Sequence, residues 1–141
     1  MFGDTIHNFL DGVAIGASFL VSPGLALLVT LATFLHETPH EIADFGILLS
    51  AGWGRQKAFL ANFVSALATF PGAVFAYFYS GGTDSLSGVL LAIAAGFFLY
   101  VSTTDFLPET KKVAGYSFKN VAFLLLGIGV IALLKGLLPD G

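Results

Sequence analysis

Long apolar runs separated by short Gly- and Pro-bearing turns dominate the chain. Five of them are long enough to cross bilayer hydrocarbon, which takes about 20 helical residues for a thickness of about 30 Å. They are segment A (Phe2–Ser22), B (Leu25–Ala51), C (Ala58–Ser80), D (Leu86–Leu107) and E (Ser117–Leu138). Their breaks fall at Ser22-Pro23-Gly24, at Gly52-Trp53-Gly54-Arg55, at Ser80-Gly81-Gly82-Thr83-Asp84 and from Pro108 through Gly115. Pro and Gly punctuate each of these breaks. Connections this short make consecutive helices antiparallel hairpins. The pattern therefore predicts an all-α fold, a polytopic transmembrane helix bundle with five spanning helices. Small residues mark helix contacts in lipid: Gly12 and Gly16 in A, Ala68, Gly72 and Ala76 in C, and Gly88, Ala92 and Gly96 in D.

Composition excludes the soluble alternative. Hydrophobic residues make up 56% of the chain and charged ones 11%, with a mean hydropathy of +0.88. A soluble domain is roughly 45–50% apolar and about 25% charged, so too little polar surface is left here to face water on all sides. A net charge of −3 argues against a nucleic-acid partner. The absence of Cys removes thiolate metal sites. Asp4, His7 and Asp11 interrupt the first apolar stretch, which is therefore not expected to act as a cleavable signal. Five of the six basic residues lie in two connections: Arg55 and Lys57 between B and C, and Lys111, Lys112 and Lys119 between D and E. The positive-inside rule puts those two loops in the cytoplasm. The expectation is a multi-pass integral protein of the plasma (inner) membrane.

The informative residues are polar ones in an apolar setting. Eight of the twelve Asp, Glu and His residues lie within residues 4–44: Asp4, His7, Asp11, His36, Glu37, His40, Glu41 and Asp44. A charge at the bilayer centre costs about 2.5–3.5 kcal/mol on the most lenient scale, so several unpaired carboxylates would cost on the order of 10 kcal/mol. Ion pairing within this region is ruled out by composition, since no Lys or Arg precedes Arg55. Unless helices outside this stretch of sequence supply cations, protons or metal ions must neutralise the carboxylates. His7 and Asp11 are four residues apart and share one face of A; His36 and His40 share one face of B, with Asp44 a further turn on. Glu37 and Glu41 form a second such pair, turned about 100° from the first. Folding A against B at the Ser22–Gly24 turn brings both His-bearing pairs to roughly 18–25 Å from it. Imidazole and carboxylate at matching depth suit Zn²⁺, Fe²⁺, Mn²⁺ and similar ions. Pro39 removes a helical hydrogen bond between two candidate ligands, and disturbed helices mark many transport sites.

These residues resemble the ZIP family of divalent metal transporters. His7-Asn8-Phe9-Leu10-Asp11-Gly12 is similar to the signature of the family's fourth helix, and His36-Glu37-Thr38-Pro39-His40-Glu41-Ile42-Ala43-Asp44-Phe45 to that of its fifth. Asn62-Phe63-Val64-Ser65-Ala66-Leu67 resembles the sixth; Gly96-Phe97-Phe98-Leu99-Tyr100 with Asp105-Phe106-Leu107-Pro108-Glu109 resembles the seventh. The resemblance implies transport of a divalent metal, zinc foremost with Fe²⁺, Mn²⁺ or Cd²⁺ as alternatives, towards the cytosol, by a homodimer. It implies that His7, Asp11, His36 and His40 ligate the main ion, and that Asn8, Glu37 and Glu41 serve an adjacent second site or relay. Asp44, Asp105 and Glu109 would line an exit path. Family members have eight helices, so residues 1–141 are expected to be one transmembrane domain, a fragment equivalent to helices four to eight, with a metal-site hairpin over 2–51. Some relatives place a Glu in the sixth helix, and Thr69-Phe70-Pro71 offers no carboxylate there. Two other readings stay open: a membrane scaffold with a structural zinc, and an intramembrane zinc protease, since His36-Glu37-Thr38-Pro39-His40 satisfies H-E-x-x-H. The protease would not be expected to hold a Pro in that motif.

Overall fold

A computed structural model describes residues 2–80, 84–114 and 118–137, without the side chains of residues 84, 85, 105, 106, 109 and 112–114. The described residues contain helices and turns but no strand. Seven α-helices run in order: α1 (Phe2–Val21), α2 (Pro23–Ser50), α3 (Arg55–Ala66), α4 (Thr69–Tyr79), α5 (Asp84–Val101), α6 (Leu107–Ala114) and α7 (Phe118–Leu137). A π-helical turn, Ser102–Phe106, joins α5 to α6. The all-α fold stands.

Segments A and B emerge as α1 and α2, and a single extended residue separates them. Ser22 caps α2 by accepting a hydrogen bond from the Leu25 N–H at 3.1 Å, with Pro23 in the first turn, where its missing N–H costs nothing. At the other end of α2, the Gly52 N–H donates to the Leu49 carbonyl and the Trp53 N–H to that of Leu48, the pairing of a Schellman turn. Gly52 supplies the left-handed conformation this needs, with φ at 86°. Beyond it, the Lys57 ammonium lies 4.3 Å from the centroid of the Trp53 ring. The helix continues through Pro39, so the expected disturbance there amounts to one lost N–H donor rather than a break.

Segment C is two helices, because Pro71 has no N–H for the Leu67 carbonyl. The chain tightens instead: Ala68 donates to the Ser65 carbonyl and Phe70 to that of Leu67, both over three residues. Segment D is longer than expected. Pro108 begins no loop; α6 runs on past it to Ala114. The π turn absorbs the proline, with Leu107 donating to the Ser102 carbonyl five residues back. The Thr103 and Thr104 hydroxyls cover the Tyr100 carbonyl at 3.0 and 2.9 Å.

Helix α1 is the centre of the bundle and packs against α4, α5, α2 and α3, while α7 touches only α2 closely and buries no residue. The contact of α1 with α4 is set by glycine. A Cβ at Gly12 or Gly72 would overlap the carbonyl oxygen of Thr69 or Phe9 respectively, and one at Gly16 would overlap that of Ala73. The small faces expected in A and C are therefore helix contacts. The one expected in D is not: nothing described lies within 4 Å of where a Cβ would stand at Gly88 or Gly96.

Burial is inverted relative to a soluble protein. The largest wholly buried side chains are Asn8, Asp11, Ser18, Ser80 and Ser87, whereas Phe78 is 76% and Phe118 87% exposed. Apolar core is confined to Val13, Ala17 and Ala76 with Phe9, Leu90 and Leu91 against them. Small and polar residues inside with large apolar ones outside is the arrangement lipid favours. Among the described residues, three stretches are long and apolar enough to cross a membrane: Arg55–Tyr79, Leu86–Thr104 and Phe118–Leu137. Helices α1 and α2, with 20 and 28 residues, have the length but carry the acidic and histidine residues.

Candidate metal centre

One face of α1 carries Asp4, His7, Asn8 and Asp11, at spacings of three and four residues, and all four are buried. Helix α2 crosses that face at His36 and Glu37. The His7 and His36 Nε2 atoms are 3.3 Å apart. His7 Nε2 lies 3.4 Å from Glu37 Oε2 and 3.8 Å from Asp11 Oδ1. His36 Nε2 lies 3.3 Å from Asp11 Oδ2 and 3.6 Å from Glu37 Oε2. Four donor atoms at about 2.0–2.2 Å from a tetrahedral zinc stand about 3.3–3.6 Å from one another. In the set His7, Asp11, His36 and Glu37, one donor atom from each residue lies within 4.8 Å of the others, close enough to draw in around one ion, and two imidazoles with two carboxylates would balance a dication.

The tautomer of His36 fits. Its Nδ1–H donates to the Ala32 carbonyl at 3.0 Å, which leaves the Nε2 lone pair facing the cluster. Asp11 needs a partner most. Its side chain is wholly buried and, among the described residues, neither carboxylate oxygen makes a hydrogen bond. An uncompensated buried carboxylate is too costly to persist. Water is held off on one side by aromatic rings, with Phe97 5.7 Å from the His7 ring and Phe98 5.6 Å from that of His36. A cavity of about 900 Å³ between α2, the α5–α6 rod and α7 has His7 and His36 on its wall.

A second group adjoins the first. Asp4, His40 and Asp44 each bring one donor atom within 4.8 Å of the others, as do Asp4, Glu37 and Glu41. His40 Nδ1 is 3.6 Å from Asp4 Oδ1. The His7 and His40 rings remain neighbours at 5.3 Å, but Glu37 rather than His40 stands with His7, Asp11 and His36. Asn8 is held in place by Asp4 and α4: its amide donates to the Asp4 carbonyl at 3.2 Å, and its Oδ1 accepts from the Thr69 hydroxyl at 3.5 Å. Glu41 is tied to α3 through its backbone, the carbonyl accepting from Asn62 Nδ2 at 2.9 Å. Asp44 lies beside Asp4 and His40; the side chains of Asp105 and Glu109 lie outside those described. Asp4 is the residue that motif spacing missed, although it stands one turn before His7 on the same face.

The geometry weighs against the protease. In H-E-x-x-H, both imidazoles bind one zinc and the Glu stays free as a base. Here His36 groups with Glu37, and His40 groups with Asp4 and Asp44.

Comparison with known proteins agrees. The family model described as ZIP zinc transporter matches residues 1–135. Human zinc transporter ZIP4 is 44% identical over 111 residues, 79% of this chain and 17% of that protein. Mouse metal cation symporter ZIP14 is 40% identical over 122 residues, 86% of this chain and 24% of that protein. The Drosophila melanogaster zinc transporter foi is 34% identical over 137 residues, 95% of this chain and 19% of that protein. The chain thus spans about a fifth of the length of such relatives. No solved structure gives a significant match. Family model, relatives and buried His/Asp/Glu cluster converge: the chain belongs to the ZIP zinc transporter family.

Proposed function

We propose that this chain forms the ion-conducting centre through which a divalent transition metal, zinc foremost, crosses a membrane towards the cytosol. The observation that carries the reading is the largely buried set His7, Asp11, His36 and Glu37, each with a donor atom within 4.8 Å of the others, where no Lys or Arg precedes residue 55. All five helical segments cross the membrane in this proposal, as one domain with the site on the 2–51 hairpin. The helix ends that bear the basic residues, Arg55 and Lys57 at the start of α3, Lys111 and Lys112 in α6 and Lys119 at the start of α7, lie at the cytoplasmic face of a plasma (inner) membrane. Relatives named zinc transporter and metal cation symporter support the cargo, and Fe²⁺, Mn²⁺ and Cd²⁺ compete for mixed nitrogen and oxygen ligands of this kind. The homodimer belongs to the same proposal.

The ion loses water on entering, is held by imidazole and carboxylate, and is released as helices rock about the site. Asn8, Glu41 and His40 flank it and shape the next position along the path. The test is zinc flux into proteoliposomes carrying the chain or its His36→Ala variant, alongside equilibrium binding. Flux and binding that both disappear with His36 support the proposal. Binding without flux would turn the account towards a structural zinc, and unchanged flux in the variant would remove the site.

A further inference from the structure

The set His7, Asp11, His36 and Glu37 is closed on most sides. Both carboxylate oxygens of Asp11 and of Glu37 are shut off from solvent, and of the four residues only His7 and His36 reach the wall of the cavity of about 900 Å³. An ion that enters or leaves on that side meets the imidazoles first. One residue of α5 stands in the same place. Phe98 lines the cavity, and its ring is edge-on to both imidazoles, with centroids 5.6 Å from His36 and 6.1 Å from His7. Phe97 also touches His7, at 5.7 Å, but is not on the cavity wall.

A phenyl ring offers neither a metal ligand nor a hydrogen bond to water. Set against the imidazoles, it makes an apolar constriction of the kind that gates by drying. Beyond it the wall includes the hydroxyls of Thr33, Ser102 and Thr110 and the amide of Asn120, beside which water can stand. The backbone after Phe98 can yield. Leu90 and Leu91 hold α5 on the apolar core, but the π turn begins four residues after Phe98, and α6 packs closely on that turn alone among the described elements.

We propose that Phe98 is the gate between the ion site and the cavity: its ring closes the imidazole side and moves aside, with the end of α5, when a divalent ion exchanges. The proposal rests on His7, Asp11, His36 and Glu37 holding the ion. A gate that contacts the loaded and empty site alike raises the barrier in both directions and leaves the equilibrium unchanged. Phe98 therefore sets how fast the ion exchanges, while the four ligands set how tightly it is held.

Zn²⁺ exchange by the full chain in lipid nanodiscs tests this. Stopped-flow release to an excess of a water-soluble chromophoric chelator reads the rate, and competition at equilibrium reads the affinity. In Phe98→Ala, release should speed up about tenfold or more while Kd changes by less than about threefold, because a barrier lowered in both directions cancels at equilibrium. Phe98→Leu keeps more apolar bulk, should fold where the Ala variant does not, and should accelerate release in the same sense but less. Phe97→Ala should accelerate it less than Phe98→Ala, and Phe78→Ala, at an exposed ring on α4, should leave it unchanged. Zn²⁺ bound normally but released at the unmodified rate in the Phe98 variants would overturn the gate and leave the site standing. Faster release matched by an equal loss of affinity would also overturn it, making Phe98 a residue that positions the imidazoles. Equal acceleration in Phe97→Ala would overturn the assignment to Phe98. No Zn²⁺ bound by the unmodified chain would remove the site, and the gate with it.

Discussion

Gly72→Ala should weaken metal binding although Gly72 touches no ligand. A Cβ there would overlap the Phe9 carbonyl oxygen, with the Phe9 carbonyl carbon at 3.0 Å and the Val13 nitrogen at 3.1 Å. Unstrained carbon contacts sit at about 3.5–4.0 Å, and the carbonyl oxygen is the nearest atom, so α1 must retreat from α4 by more than about 1 Å. Overpacking of this kind costs about 1–3 kcal/mol in stability. The retreat carries His7 and Asp11 along, and well-formed metal sites hold their distances to within about 0.2 Å. Affinity should therefore fall about tenfold to a hundredfold, the scale on which positioning contacts act. Thermal unfolding in detergent and a Co²⁺ absorption titration measure the two effects. Gly96→Ala is the control, since nothing described lies within 4 Å of its added methyl; it should be neutral or slightly stabilising, because Ala is the better helix former. Equal effects from the two substitutions would refute the argument that backbone contact between α1 and α4 positions the ligands.

Asp11→Asn keeps the shape of a wholly buried side chain but removes a charge, so it should abolish tight zinc binding while the apo protein becomes more stable to unfolding, as measured by titration and thermal scan. Binding should weaken as pH falls, because each proton retained by His7 or His36 excludes the ion; a pH series of binding isotherms shows the slope. Asn62→Ala removes the 2.9 Å hydrogen bond to the Glu41 carbonyl and should cost about 1 kcal/mol by thermal unfolding with little change in affinity at the first site.

Much of this was legible in the sequence because one-turn spacing is a strong constraint. His7 with Asp11, and the depth at which they meet His36, follow from counting residues from the Ser22 turn. Choosing between Glu37 and His40 does not, because the two lie three residues apart on α2, only about 60° from each other around the helix, and only the crossing of α1 decides which is reached. That crossing is set by Gly12, Gly16 and Gly72 against backbone, a contact between distant parts of the chain. Asp4 was readable, since it lies three residues before His7 and seven before Asp11 on one face, but no short motif includes it. Pro71 does break its segment and Pro108 does not. The difference is the π turn at Ser102–Phe106, which no propensity marks.

Zinc-edge X-ray absorption of the chain loaded with one equivalent of Zn²⁺ bears most directly on the claim that His7, Asp11, His36 and Glu37 hold the ion together. The expected spectrum is a four-coordinate ion with nitrogen and oxygen ligands only, at about 2.0–2.2 Å, and the outer-shell scattering of two imidazoles, falling to one in His36→Ala. A six-coordinate, largely hydrated ion, or two imidazoles unaffected by His36→Ala, would contradict it.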